Sequence, residues 1–284
     1  MSGAIAFSQT RCLLGEGPMW HPTRGQLFWF DILNRCLLTV EKEQERCWQF
    51  DRYVSAAGWV DDSRLLVASE TDLFCFDLET GAQESIVALE ADNPVTRSND
   101  GCADPWGGFW IGTMGKDLEL GAGAIYRYWR GEMRQLKAQM TIPNSICFAP
   151  DASCGYYTDT PTQQIMRQPL DPETGWCDGP AELFIDLRDG GFNPDGAVVD
   201  AAGCLWSAQW GASRVARYDT DGRFMSAVAF PACQISCPAF GGASRQTLFA
   251  TSAAEGFALD GRAEGCTFAL ETNVTGQAEH RVLL

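Results

Sequence analysis

Short apolar runs alternate with polar turns along the whole chain. The runs at 27–31, 109–112 and 203–207 each contain a tryptophan and stand beside a glycine-containing turn. Apolar runs this short, with turn residues around them, predict β-strands, and no segment shows a convincing helical period. The segments 76–81 and 170–175 each contain Asp, Thr and Gly, which are typical residues of hairpin tips. The pattern therefore predicts an all-β chain.

The same pattern repeats at a nearly constant interval. Comparable loop positions fall at Glu16, Ala57, Asn99, Asn144, Asp195 and Phe240. Subtracting these residue numbers from one another in order gives intervals of 41 to 51 residues, which suit four-stranded propeller blades. We therefore predict an all-β, six-bladed β-propeller that occupies 1–284 as a single domain. The segment 5–13 is expected to supply a strand to the last blade and so close the ring.

Composition and charge restrict the partners of such a fold. Hydrophobic residues make up 45% of the chain and include ten tryptophans, which is enough for a large core. The net charge of −16 repels nucleic acids and anionic membrane surfaces, so a neutral or weakly charged small molecule is the expected partner. Without an export signal or a spanning apolar run, we expect a cytoplasmic protein whose twelve cysteines are reduced. The oligomeric state stays open.

Three loop signatures carry side-chain oxygens at comparable places in the repeat. They are 99–101 (Asn-Asp-Gly), 143–145 (Pro-Asn-Ser) and 194–196 (Pro-Asp-Gly). Taken singly, each is explained by its preference for turns. Equivalent propeller loops meet at one end of the central channel, however, and buried charge is costly without a counter-ion.

These loops suggest one site for a divalent cation. Glu16, Asn144 and Asp195 would supply two carboxylates and one amide oxygen. This hard ligand set suits Ca²⁺, Mn²⁺ or Mg²⁺, and Zn²⁺ or Fe²⁺ can also use it. The sequence lacks the motifs of serine hydrolases, zinc proteases and nucleotide-binding loops. His21 is interpreted as a turn residue, and Trp210 is kept as a tryptophan that could line the site.

Six motifs, in their order and spacing, resemble a known family. They are the segments 14–18, 97–101, 110–114, 142–144, 193–196 and 239–242. Together they resemble the gluconolactonase, regucalcin and senescence-marker-protein group of six-bladed propeller hydrolases, over nearly the whole chain. Two departures stand out: Ser145 occupies a position where the family commonly has glycine, and the loop 115–123 has its own sequence.

The resemblance assigns roles to individual residues. It implies that Glu16, Asn144 and Asp195 hold one divalent metal, with Ca²⁺ or Zn²⁺ favoured and Mn²⁺, Mg²⁺ or Fe²⁺ as alternatives. It also implies that Arg97 and Asn99 contact the substrate. Asp117, which follows the Gly-Thr-Met motif, matches an acidic residue that contacts sugar hydroxyls.

The expected function is metal-dependent hydrolysis of a sugar lactone to the aldonic acid. Asp195 is the expected catalytic base and Glu16 its rival, because either carboxylate could accept a proton from the attacking water. Arabinono-, xylono-, galactono- and gluconolactone all remain candidate substrates. The alternatives are a related phosphotriesterase or esterase, and a non-catalytic propeller that binds calcium or another protein.

Overall fold

The computed structural model describes residues 3–258 and 263–284. Its strands form six four-stranded sheets in which every pairing is antiparallel. The innermost strands of these sheets contact one another in a closed cyclic order. The predicted all-β, six-bladed β-propeller is therefore confirmed. In the described part of the chain, helix is limited to two 3-10 turns, Thr160–Thr162 and Arg188–Gly190, and no helix is long and apolar enough to cross a membrane.

The strands follow one another around the ring, from the innermost to the outermost position of each blade. The first strand of the chain is β1 (Ile5–Ala6). Blade 1 consists of β2 (Gly15–His21), β3 (Gln26–Asp31), β4 (Cys36–Glu41) and β5 (Gln44–Gln49). Blade 2 consists of β6 (Val54–Trp59), β7 (Arg64–Ser69), β8 (Asp72–Asp77) and β9 (Gln83–Ala88). Blade 3 consists of β10 (Thr96–Ala103), β11 (Phe109–Gly115), β12 (Gly123–Trp129) and β13 (Glu132–Met140).

The second half of the chain repeats this arrangement. Blade 4 consists of β14 (Pro143–Phe148), β15 (Cys154–Asp159), β16 (Gln164–Pro169) and β17 (Glu182–Asp186). Blade 5 consists of β18 (Asn193–Val199), β19 (Leu205–Trp210), β20 (Arg214–Tyr218) and β21 (Phe224–Ala229). Blade 6 consists of β22 (Ile235–Gly241), β23 (Thr247–Ser252), β24 (Phe268–Glu271) and, at its outer edge, β1.

Burial follows the position of each strand within its blade. The second strand of blade 1, β3, is buried at almost every residue because adjacent blades cover both of its faces. The outermost strand, β5, is exposed at almost every residue. A strand that is covered on both faces has a continuous apolar sequence, which explains the tryptophan-containing runs.

The N-terminal strand closes the ring, as predicted. Ile5 pairs with Ala269, and Ala6 pairs with Phe268, so β1 becomes the outermost strand of blade 6. The N–H of Phe7 donates to the carbonyl of Thr267 at 2.7 Å and continues the contact beyond the strand. The first and last strands of the chain therefore belong to one sheet.

Every innermost strand contains a β-bulge near its start. In five blades two consecutive residues oppose a single residue on the second strand, and in blade 2 one residue is extra. A bulge redirects side chains that an unbroken ladder would point to the two faces of the sheet. The bulges therefore determine where the polar loop residues lie.

The register refines the repeat positions read from the sequence. Glu16 and Asn144 are the last paired residues before a bulge, whereas Asn99 and Asp195 are the first residues inside one. In blades 1 and 4 the first bulge residues are instead Gly17 and Ser145, which follow Glu16 and Asn144. Both have positive φ angles, +52° and +58°. In blades 2 and 6 the first bulge residues are Ser55 and Ser236. The repeat positions read from the sequence in these blades, Ala57 and Phe240, lie further along the strands.

A buried ion pair in blade 3 provides a test of the packing inside a blade. Arg127 Nε lies 2.7 Å from Asp104 Oδ2, and both side chains are fully buried. We expect Asp104→Ala to lower the free energy of unfolding by about 3–5 kcal/mol, because it leaves a buried guanidinium without its partner. Urea denaturation measures the change.

The exposed pair Asp61–Arg64 supplies the matched control. Asp104 accepts the N–H groups of Trp106 and Gly108, and Asp61 accepts those of Ser63 and Arg64. Water screens the charge of Asp61. Asp61→Ala should therefore cost about 1 kcal/mol or less. Equal losses in the two variants would contradict the assigned difference between buried and exposed pairs.

Candidate functional site

Four blades bring the predicted site residues to one cavity at the end of the channel. The residues are Glu16 on β2, Arg97 and Asn99 on β10, Asn144 on β14 and Asp195 on β18. All five side chains are buried yet line a cavity of about 190 Å³. Residues that lie far apart in sequence thus become neighbours because each inner strand starts at the same end of the ring.

The rest of the cavity wall is largely apolar. Its other lining residues are Leu14, Met114, Leu118, Ile142, Thr160, Trp210 and Glu255. Trp210, which the sequence analysis kept as a candidate, therefore does line the cavity. Thr160 and Glu255 were missed, because Thr160 belongs to a short turn and Glu255 follows β23 outside any recognised motif. Glu255 is exposed at the rim, and its N–H donates to the carbonyl of Leu13 at 3.0 Å.

A chain of hydrogen bonds crosses the cavity wall from blade 3 to blade 5. Arg97 Nη1 donates to Asn99 Oδ1 at 2.9 Å, and Asn99 Nδ2 donates to Asn144 Oδ1 at 2.9 Å. Asn144 Nδ2 then donates to Thr160 Oγ1 at 2.9 Å, and Thr160 Oγ1 donates to the carbonyl of Pro194 at 2.8 Å. This network fixes both amide groups, because each NH₂ has defined acceptors. The Asn144 oxygen accepts one bond from Asn99 and keeps a second lone-pair direction.

The two carboxylates experience a strongly unfavourable electrostatic environment. Burial raises the pKa of Glu16, the charge of Asp100 adds to the rise, and the Gly17 N–H and Arg97 oppose it. Burial also raises the pKa of Asp195, followed by the charges of Glu16 and Asp100. Behind them, burial raises the pKa of Asp100 to about 6.

Nothing in the described ranges 3–258 and 263–284 neutralises these two carboxylates by a salt bridge. The same ranges contain no group of three or more His, Cys, Asp or Glu side chains arranged as a metal site. The candidate ligand set therefore consists of two carboxylates, those of Glu16 and Asp195, and takes its third oxygen from the amide of Asn144. Two buried, unpaired carboxylates next to a carbonyl-type oxygen form a donor set that fits a hard divalent cation.

The loop between β11 and β12 lies at the edge of the cavity. Leu118, which has a φ of +62°, lines the cavity, whereas its neighbour Asp117 is exposed. The N–H of Asp117 donates to Glu119 Oε2 at 3.1 Å, inside the loop itself. The role of Asp117 stays a prediction.

His21 lies outside the cavity and is the last residue of β2, directly before the turn in which the sequence placed it. It is fully buried at the end of β2, and its Nε2 lies 2.9 Å from the carbonyl oxygen of Asp61. Burial lowers the pKa of this imidazole. His21 therefore has a structural partner and no place at the site.

Known proteins share this fold over almost the full chain. A bacterial structure described as a calcium-binding protein, regucalcin, from Agrobacterium tumefaciens str. C58 superposes with a TM-score of 0.96 and 41% identity. That match covers 100% of this chain and 98% of the other.

Two curated relatives have names that state a reaction. The L-arabinolactonase of Azospirillum brasilense is 35% identical over 98% of this chain and 95% of its own length. The 6-deoxy-6-sulfogluconolactonase of Pseudomonas putida is 33% identical, with 94% of each chain covered. The sequence profile of the SMP-30/Gluconolactonase/LRE-like region matches residues 14–254. The chain therefore belongs to the SMP-30/gluconolactonase/LRE-like family.

Proposed function

We propose that this protein is a metal-dependent sugar lactonase that opens an aldono-lactone to the aldonic acid. One observation carries the proposal: two buried carboxylates, with no salt bridge to any residue of 3–258 and 263–284, stand beside an amide oxygen in a cavity that Arg97 also lines. The relatives named as an L-arabinolactonase and a sulfogluconolactonase support the same reaction class. A purely binding propeller would not need a substrate cavity next to the cation.

Glu16, Asn144 and Asp195 would hold the cation. When bound, a divalent cation supplies Lewis acidity to a lactone carbonyl and lowers the pKa of water at the site. A structure described as a calcium-binding regucalcin supports a divalent ion, with Ca²⁺ or Zn²⁺ favoured and Mn²⁺, Mg²⁺ or Fe²⁺ as alternatives. The protein supplies the oxygen ligands and the apolar wall that keeps bulk water away.

Asp195 would move the proton during ring opening. Its carboxylate accepts a proton from the attacking water as the new carbon–oxygen bond forms, and returns it to the ring oxygen as the ester bond breaks. Burial raises the pKa of Asp195 in the metal-free site, and a bound cation would oppose this rise because it binds the carboxylate form. Glu16 shares this environment and remains the rival base.

Arg97 and Asn99 would orient the sugar. Arg97 is held by bonds to its own strand, because its Nη1 donates to both the Ser98 carbonyl and Asn99 Oδ1 at 2.9 Å. A guanidinium fixed in this way offers its remaining donors in a defined direction, which suits hydroxyl recognition.

The cavity favours a single-ring substrate. Its volume of about 190 Å³ is below the range of about 300–1,000 Å³ that is typical of drug-sized ligands. Trp210 and Ile142 provide apolar surface on which the ring carbons can pack. This size favours a pentono- or hexonolactone over a bulky phosphotriester, which remains the second enzymatic candidate.

Lactone hydrolysis with and without a chelator tests the proposal directly. Purified protein loaded separately with Ca²⁺, Zn²⁺, Mn²⁺, Mg²⁺ or Fe²⁺ should hydrolyse at least one of arabinono-, xylono-, galactono- and gluconolactone, and EDTA should abolish turnover. Asp195→Asn should lower kcat by roughly 10²-fold or more, the usual contribution of a positioned base. Asp189→Asn, at an exposed carboxylate, is the control. Full activity of Asp195→Asn would refute its assignment, and inertness of every metal-loaded preparation toward all four lactones would refute the lactonase proposal.

The buried carboxylates also predict an unusual dependence of stability on pH. Without cation, the native state keeps protons on Glu16 and Asp195 that the unfolded chain has already released. The free energy of unfolding of the metal-free protein should therefore fall as pH rises from about 4.5, the ordinary value for Glu16, to about 8, its raised value. Added cation should stabilise more at pH 8 than at pH 5, because its ligands must lose their protons.

Thermal unfolding in EDTA and in excess Ca²⁺ or Zn²⁺, at pH 5 and pH 8, measures both effects. Glu16→Gln removes one titrating group and should flatten the pH dependence in EDTA. An identical slope in this variant, or metal stabilisation that does not change with pH, would contradict the electrostatic account.

Two acidic residues near the rim provide a test of substrate contact. If Asp117 and Glu255 each bind a sugar hydroxyl, then Asp117→Ala and Glu255→Gln should each raise KM roughly threefold to tenfold, with kcat nearly unchanged. This range corresponds to one hydrogen bond of about 0.5–1.5 kcal/mol. Steady-state kinetics on the preferred lactone measures the change, with Asp189→Asn as control. Unchanged KM removes the tested residue from the site.

A further inference from the structure

Three buried serines occupy matching positions in alternate blades. Ser55 in blade 2, Ser145 in blade 4 and Ser236 in blade 6 are each fully buried. Each is the first residue of the bulge in its innermost strand. At this position the other three blades have Gly17, Asn99 and Asp195.

Each serine hydroxyl bonds to the innermost strand of the next blade. Ser55 Oγ donates to the carbonyl of Asn99 at 2.6 Å, and Ser145 Oγ donates to the carbonyl of Asp195 at 2.5 Å. Ser236 Oγ donates to the carbonyl of Gly15, the residue before Glu16. The three acceptors therefore belong to, or directly precede, residues of the proposed site.

The blade 4 serine occupies a backbone conformation that glycine adopts more easily. Ser145 has a φ of +58°, in the left-handed region, where a Cβ atom is unfavourable. Glycine would relieve this strain but would leave the buried carbonyl of Asp195 without the hydroxyl. The serine is therefore best explained by its bond to Asp195 rather than by its backbone conformation.

We propose that Ser55, Ser145 and Ser236 are positioning residues that hold Asn99, Asp195 and Glu16, respectively, in their working orientation. A hydrogen bond on the backbone carbonyl fixes the peptide plane in the bulge, or just before it in blade 1, and the peptide plane sets the direction of the adjoining side chain. The roles of the three held residues rest on the proposed function. The positioning itself is a property of the fold.

This arrangement predicts separable effects. Ser145→Ala and Ser236→Ala should each weaken cation binding about tenfold, the lower end of the range for groups that orient metal ligands. Ser55→Ala should raise KM for the lactone about threefold or more and weaken cation binding less than the other two variants, because Asn99 reaches the proposed ligands only through its bond to Asn144. Ser145→Gly removes the hydroxyl and the strain together, so it should weaken cation binding while largely preserving Tm.

Calorimetric titration with Ca²⁺ and Zn²⁺, steady-state kinetics and Tm form the first set of measurements. Thr39→Val is the control, because Thr39 is also buried and its Oγ1 donates to the carbonyl of Leu27 at 2.7 Å, between β3 and β4 and away from the innermost strands. If the three serines only satisfy buried carbonyls, their alanine variants and Thr39→Val will all lower Tm without changing Kd or KM. That result overturns the proposal.

A second readout needs neither cation nor lactone. In a crystal structure of Ser145→Ala, the Asp195 carboxylate should be displaced or disordered, whereas Ser55→Ala should leave it in place. An Asp195 side chain unchanged in Ser145→Ala overturns the positioning role, even in a protein that binds no cation. Cation binding or carboxylate displacement without lactone turnover in the wild type would instead refute only the proposed reaction.

Discussion

The innermost strand of each blade pairs on one side only, and this constraint shapes the centre of the molecule. β10, for example, forms its ladder with β11, while its other edge faces the channel. Buried backbone N–H and C=O groups need partners, and the ring leaves no further strand to supply them. Side chains take over instead: Asn99 donates to the Pro143 carbonyl, and Asp100 accepts the N–H of Ile146. The polar side chains of the channel thus form hydrogen bonds with backbone groups of the neighbouring strand, in addition to any role in ligand binding.

This dual role explains how the site can be both polar and ordered. Asn144 and Asn99 are locked by bonds to their neighbours, so little conformational entropy remains to be lost on binding a ligand. Glu16 and Asp195 are different, because burial disfavours their charged forms and no salt bridge within the described chain compensates. The hydrogen-bonded amides of Asn99 and Asn144 make the site rigid. The buried carboxylates of Glu16 and Asp195 are unfavourable when charged, and a bound cation would stabilise their charged forms.

Much of this arrangement could be predicted from the sequence, and the remainder has physical reasons. The intervals between loop signatures predicted six blades because each blade needs four strands and their turns, whatever the side chains are. The repeat could not give the exact counterparts in blades 2 and 6, because a bulge adds a residue without any consistent sequence signature. Ser55 and Ser236 could therefore not be identified from the sequence, whereas Asn99 and Asp195 could be identified from their turn motifs. Thr160 and Glu255 enter the cavity through tertiary packing alone.

The pairing of β1 with β24 also determines when the ring can be completed. Ile5 of β1 pairs with Ala269 of β24, so almost the whole span of the six blades separates the two partners in sequence. Blades 1 to 5 each pair strands that are consecutive in sequence, whereas blade 6 combines β22, β23 and β24 with β1. Contacts between residues so distant in sequence form slowly, since a long loop must close before they are made. We therefore expect β1 to join its sheet late in folding, and its pairing with β24 completes blade 6.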